Sequence, residues 1–101
     1  MRPANQKLVQ DAQQFLHLYQ RLSDLKLRNM DIAKALDLHA SSFSTLINKV
    51  FRPLTQINSQ SKGADAAIQS LFAAVNNLSE VRVRRKLEGY LQRMAELEEE
   101  V

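Results

Sequence analysis

The segment NMDIAKALDLHASSFSTLINKVF, residues 29–51, reads as two short helices joined by a tight turn, and the rest of the chain is organised around it. Asn29 is a helix-capping residue type, and Asp31 falls in the first turn, where the helix dipole favours negative charge. Ile32, Ala33 and Leu36 give that helix one apolar face. Asp37 follows, a residue that tolerates the left-handed conformation needed to reverse a chain after a helix. Leu38 plugs the turn. From about Ala40, the residues Phe43, Leu46, Ile47 and Val50 recur at helical spacing. The other face carries His39, Ser41, Ser42, Ser44, Thr45, Asn48 and Lys49, which is polar but not acidic.

Towards the amino end, residues 5–25 read as a long amphipathic helix. Leu8, Val9, Ala12, Phe15, Leu16, Tyr19 and Leu22 form one face, with Gln10, Asp11, Gln13, Gln14, Gln20 and Arg21 on the other. His17 is expected at its surface or boundary, and residues 1–6 as a loose arm. Towards the carboxyl end, Arg52 and Pro53 are expected to stop the second motif helix, because proline disfavours helical backbone in the residue before it. Residues 54–63 are polar and aperiodic, a loop with at most one helical turn. A fourth helix is expected over 64–77, burying Ala67, Ile68, Leu71, Phe72, Ala74 and Val75, with Asn76 and Asn77 suited to a left-handed helix end. Leu78 packs, and Ser79 caps a last helix from Glu80 to about Glu99. The expected fold is therefore all-α: a compact five-helix domain.

Composition agrees with one folded domain. The 101 residues are 45% hydrophobic and 25% charged, with two glycines and two prolines, too few for a many-turned sandwich. Without cysteine, neither a disulfide framework nor a thiolate metal site is available. The apolar runs are too short to span a membrane and no secretory hydrophobic region follows Met1, so the expected compartment is the cytoplasm. The two histidines are far apart and the only glycines are Gly63 and Gly89, which leaves no nucleophile–base pair, metal cluster or phosphate loop. No enzyme and no cofactor is expected. Net charge is +3, unevenly spread: residues 1–62 hold nine Lys/Arg against four Asp (+5), residues 63–101 five against seven Asp/Glu (−2). The motif lies in the basic part, as a phosphate-facing surface requires.

The last helix has a second pattern. Val83, Leu87, Tyr90, Met94, Leu97 and Val101 are spaced 4, 3, 4, 3 and 4, a coiled-coil seam. This divides the chain into a motif-bearing domain over 1–78 and a self-association helix over 79–101, with Val83, Leu87, Tyr90, Met94 and Leu97 as the dimerisation candidates. Arg82, Arg84, Arg85 and Lys86 near its start and Glu96, Glu98, Glu99 and Glu100 at its end oppose the helix dipole. An antiparallel homodimer would set each basic start against an acidic end. The basic run could instead meet a nucleic-acid backbone.

The motif of residues 29–51 resembles the helix-turn-helix of the lambda-repressor-like (Cro and phage-repressor) DNA-binding family. The matching features are the small Ala33, where the two helices cross, then Leu36, the turn residue Leu38, and the anchors Phe43 and Leu46. Asp37 stands where the family usually has glycine, and His39 where it usually has a serine or threonine cap, with Ser41 beside it as a substitute. The resemblance implies five helices in this order, and sequence-specific binding of double-stranded DNA by a transcriptional regulator, with a recognition helix over about residues 40–50 in the major groove. On that reading His39, Ser41, Ser42, Ser44, Thr45 and Asn48 approach base edges, and Arg28, Asn29, Lys49 and Arg52 hold phosphates. No arginine or glutamine stands on the reading face, so direct discrimination is expected to be modest. The alternative is a helical protein-interaction module, with a partner protein and no DNA.

Overall fold

Pro3 opens the first helix, where its missing N–H costs nothing and its fixed φ suits the helical turn. The computed structural model describes residues 1–76 and 78–101. Its five helices are α1 (Pro3–Asp24), α2 (Asn29–Ala35), a long composite α3, α4 (Ala64–Ala73) and α5 (Glu80–Glu100), with no strand among the described residues. The expected all-α fold is the observed one.

The two reversals on either side of α2 have the same construction. After α1, the Lys26 N–H donates to the Ser23 carbonyl (2.9 Å) and the Leu27 N–H to the Leu22 carbonyl (3.2 Å). After α2, the Asp37 N–H donates to the Lys34 carbonyl (3.0 Å) and the Leu38 N–H to the Ala33 carbonyl (2.9 Å). Both are Schellman closures, and both need a left-handed residue at the pivot. That residue is Lys26 (φ 71°) in one case and Asp37 (φ 58°) in the other. The Asp37 turn was legible from its residue type; the Lys26 turn was not.

α3 does not stop before Pro53. It runs as α-helix over Ala40–Thr45, as π-helix over Leu46–Phe51, and as a final α-helical turn over Arg52–Thr55. In the π stretch the Arg52 N–H reaches back to the Ile47 carbonyl, five residues away. A proline inside a regular α-helix lacks a donor, and its ring presses on the carbonyl four residues back. The widened turn instead places Pro53 at the opening of a fresh α-helical turn, where proline is tolerated. Continuation buries Leu54 fully, so the connecting loop begins two residues later than expected, after Thr55.

The core centres on α1, which presents Leu8, Ala12, Phe15, Leu18 and Leu22 inward. Phe15 meets Phe51 at a ring-centroid distance of 4.6 Å and Phe43 at 6.0 Å, and Tyr19 meets Phe43 edge-on at 5.7 Å. Leu18, which the periodicity left out, is buried, whereas Val9, Leu16 and Tyr19 are half-buried. α4 buries Ala64, Ile68 and Phe72, leaves Ala67 and Ala74 exposed, and ends at Ala73. Among the described residues only Lys26 and Asp37 combine a side chain with positive φ, so Asn76 makes no left-handed end; Asn77 lies outside the described residues.

α5 shares one core with the helices before it. It lies parallel to α1, and Val83, Leu87 and Met94 are 4%, 2% and 0% exposed within the same core as Phe15. Leu91 is buried beside them, although the heptad spacing omitted it, and Tyr90 and Leu97 pack partly against the core. The buried part of the apolar stripe thus packs on the chain's own α1, Tyr90 lies beside the end of α2, and Val101 is exposed. Part of the opposed charge at the two ends of α5 also has intrachain partners: Arg84 at its start, and Glu96, Glu98 and Glu100 at its end. The Arg21 Nε donates to Glu98 Oε2 (2.6 Å) and its Nη2 to Oε1 (3.1 Å), Arg93 bonds Glu100 (2.9 Å), and Lys7 bonds Glu88 (2.9 Å).

Residues 1–6 are not a loose arm. Asn5 is the one buried polar residue among those described; its amide donates to Asp65 Oδ1 (2.6 Å) and its carbonyl oxygen accepts from Arg84, which also bonds Glu80 (2.9 Å). The Arg2 N–H donates to the same Asp65 oxygen at 3.0 Å. The starts of α1, α4 and α5 are therefore tied at one point. The Asn5 bond, with the Arg2 N–H and nearby positive charge, holds the Asp65 carboxyl below its ordinary 3.8. A carboxyl lowered on folding contributes stability that is present above its unfolded pKa and lost as pH falls through the folded one. Asn5→Ala is expected to cost about 1–3 kcal/mol at neutral pH, since it removes two hydrogen bonds to charged groups, leaving Asp65 with the Arg2 N–H and Arg84 with Glu80. The acid limb of a pH–stability curve should flatten in the variant. A limb as steep as wild type's would show that Asp65 does not depend on Asn5.

Candidate nucleic-acid interface

Four buried anchors fix α3: Phe43, Leu46, Ile47 and Val50 are 0–2% exposed. Helical geometry then sends the intervening side chains outward. His39, Ser41, Asn48, Lys49 and Arg52 are exposed along this helix, while Ser42, Ser44 and Thr45 are half-buried. The six expected base-facing residues therefore do not form one equivalent set. Ser42 and Thr45 turn towards the segment between α4 and α5, where they share a crevice of about 160 Å³ with Ser41, Asn76 and Leu78. The Thr45 hydroxyl also donates to the Ser41 carbonyl at 2.9 Å, a local bond that occupies its proton. The open side of the helix is carried by His39, Ser41, Asn48 and the exposed part of Ser44.

His39 holds the N-cap position with extended backbone (φ −67°, ψ 147°) and makes no side-chain cap bond. Ser41 does not substitute for it: the first turn of α3 has no side-chain cap. Its free backbone N–H groups point out of the same end that carries His39 and Ser41.

The expected phosphate contacts also separate. Lys49 and Arg52 are exposed and have no ion pair among the described residues. Arg28, by contrast, bonds Asp31 through Nε (3.2 Å), while the Asp31 carboxylate accepts the Arg28 N–H (3.1 Å) at the start of α2. These contacts hold the Asp31 carboxyl below its ordinary value. Asn29 is the first residue of α2 rather than its cap. Its side-chain oxygen accepts the Tyr19 hydroxyl at 2.8 Å, which leaves its amide N–H groups directed away from that bond.

A second cleft, of about 290 Å³, adjoins the amino end of α3 and is lined by Leu38, His39, Ser42, Ser79, Arg82 and Tyr90 among others. Burial pushes the Tyr90 phenol above its ordinary value, with nearby Arg82 pulling it down and Asp37 pushing it up. Arg82 is thus a neighbour of the α2–α3 turn. Sequence spacing could not give this, because it depends on how α5 docks beside α3.

Among the described residues no helix is long and apolar enough to cross a membrane, and no three His, Asp or Glu side chains are grouped to hold a metal ion. No protein-family model, curated protein or solved structure matches the chain.

Proposed function

We propose that this chain is a DNA-binding regulator that presents α3 to the major groove of a duplex. The observation that supports this reading best is the uncovered side of α3: His39 and Ser41 at its amino end, Asn48 midway, then Lys49 and Arg52, on a helix pinned by four buried anchors. A major groove about 12 Å wide admits one α-helix, and hydroxyl, amide and imidazole groups can meet base edges there. Lys49 and Arg52 flank that set as phosphate contacts. Asn29, oriented by Tyr19, adds a neutral donor at the start of α2. Ser42 and Thr45 are dropped from the base-reading set, and Arg28 is dropped as a phosphate contact. Ser44 remains at its edge.

The α5 seam is used inside the chain, so the proposal is for one reading helix per domain, with any pairing of copies made through another surface. Selection from random duplex DNA reads this directly, since paired copies return a palindrome with half-sites about one helical turn apart. The decisive measurement is the dependence of affinity on salt. Each phosphate contact contributes roughly 0.9 to the slope of log K against log salt, so Lys49→Ala with Arg52→Ala should lower it by about two. A folded wild-type chain that binds no duplex at ~50 mM salt would sink the proposal and favour a protein-interaction module.

A further inference from the structure

The basic run at the start of α5 separates into two kinds of side chain. Arg84 turns inward to Glu80, Asn5 and the Ala4 carbonyl and belongs to the tie between helix starts. Arg82, Arg85 and Lys86 are exposed and have no ion pair among the described residues. They contrast with Lys7, Arg21 and Arg93, each of which has a carboxylate partner. Arg82, in the first turn of α5, is also electrostatically disfavoured, because the amino end of a helix already carries partial positive charge.

Their place relative to α3 suggests what they meet. Arg82 lines the cleft that His39 and Ser42 also line. Arg85 and Lys86 border a shallow groove with Leu36 and Asp37, at the end of α2. Asp37 is the one carboxylate among the groups lining these two clefts, against the cations Arg82, Arg85, Lys86 and the already paired Arg93. We propose that Arg82, Arg85 and Lys86 form a phosphate-binding strip that extends the α3 surface along the backbone of the same duplex. The strip rests on the DNA-binding reading above and enlarges its footprint: α3 meets the groove, and the start of α5 meets the strand beside it. Neutralising those phosphates releases condensed counterions.

The test uses the full chain and a 30-base-pair duplex, with affinity followed by fluorescence anisotropy across a salt series. Arg82→Gln with Lys86→Gln keeps helix-forming side chains and should reduce the log–log slope by about two, with helical content unchanged. Lys7→Gln removes a positive charge from the other flank of α5, where Lys7 meets Glu88, and should leave the slope at the wild-type value. A double variant with the wild-type slope overturns the strip but leaves the α3 reading intact. Equal slope losses per charge in the Lys7 and α5 variants also overturn it, since net charge alone would then account for the effect. A wild-type chain without salt-dependent duplex binding overturns the strip and the α3 reading together.

Discussion

Met94→Ala is expected to unfold this protein at a markedly lower temperature rather than to change how many copies associate. Met94 is 0% exposed and sits with Val83, Leu87 and Leu91 against α1. Truncating a buried methionine or leucine to alanine costs about 2–5 kcal/mol, through lost apolar transfer and the cavity left behind. For a domain of this size each kcal/mol moves the melting temperature by roughly 4–8 °C. Circular dichroism should therefore show a drop of at least about 8 °C for Met94→Ala, and a similar one for Leu87→Ala. The opposite expectation comes from the heptad spacing alone, in which these residues join two chains. A variant with the wild-type melting curve but a different sedimentation coefficient would restore that view and undo the packing of α5 on α1.

The second large effect is expected at Phe15. It is fully buried where α1 crosses α3, within 4.6 Å of Phe51 and 6.0 Å of Phe43 between ring centroids. Removing the ring takes away an apolar core residue and two tilted aromatic contacts at once. Phe15→Ala should cost about 3–5 kcal/mol, a large part of the roughly 5–15 kcal/mol that stabilises a typical domain. With a urea m-value of about 1–3 kcal/mol/M, the unfolding midpoint should fall by 1 M or more. Phe15→Leu keeps most of the volume and should lie between the two. A midpoint for Phe15→Ala close to wild type's would mean that the aromatic cluster is not the centre of the fold. Because Phe43 and Phe51 lie on α3, the same substitution should also loosen the helix proposed to read DNA.

Much of this architecture was legible because periodicity and residue chemistry point the same way. Phe43, Leu46, Ile47 and Val50 are all buried as their spacing required, and Ser79 caps α5 through its hydroxyl (3.4 Å to the Arg82 N–H). Asp37 reverses the chain as its side-chain type allows. Lys26 does so against its type: the stabilisation comes from the backbone closure and from Leu27 packing behind it. Leu25–Lys26–Leu27 repeats the Leu36–Asp37–Leu38 pattern, and that repeat was the available signal. Pro53 was misread as a stop because the rule for proline assumes a regular α-helix, and a π turn evades it.

The terminal helix shows a deeper limit. Spacing identifies an apolar stripe but not what covers it, and the stripe on α5 serves α1 as well as it would serve a second copy. The candidate interface has the same character. Which polar residues lie on α3 was readable, but Ser42 and Thr45 are half-covered by residues more than thirty positions later, and Arg82 arrives from another helix. Docking decides such placements, and docking is a property of the whole chain.

The parallel pairing of α1 with α5 has a kinetic side. Bonds such as Arg21–Glu98 and Asn5–Arg84 join residues 77 and 79 positions apart. Closing so long a loop has an entropic cost that must be met before those contacts form, so assembly of this flank is expected to come late and to slow the domain relative to bundles whose neighbours are adjacent in sequence. In that order of events the face of α1 that Met94 covers would stay wet until the terminal helix arrives, the interval in which capture by chaperones or clumping is expected to be greatest.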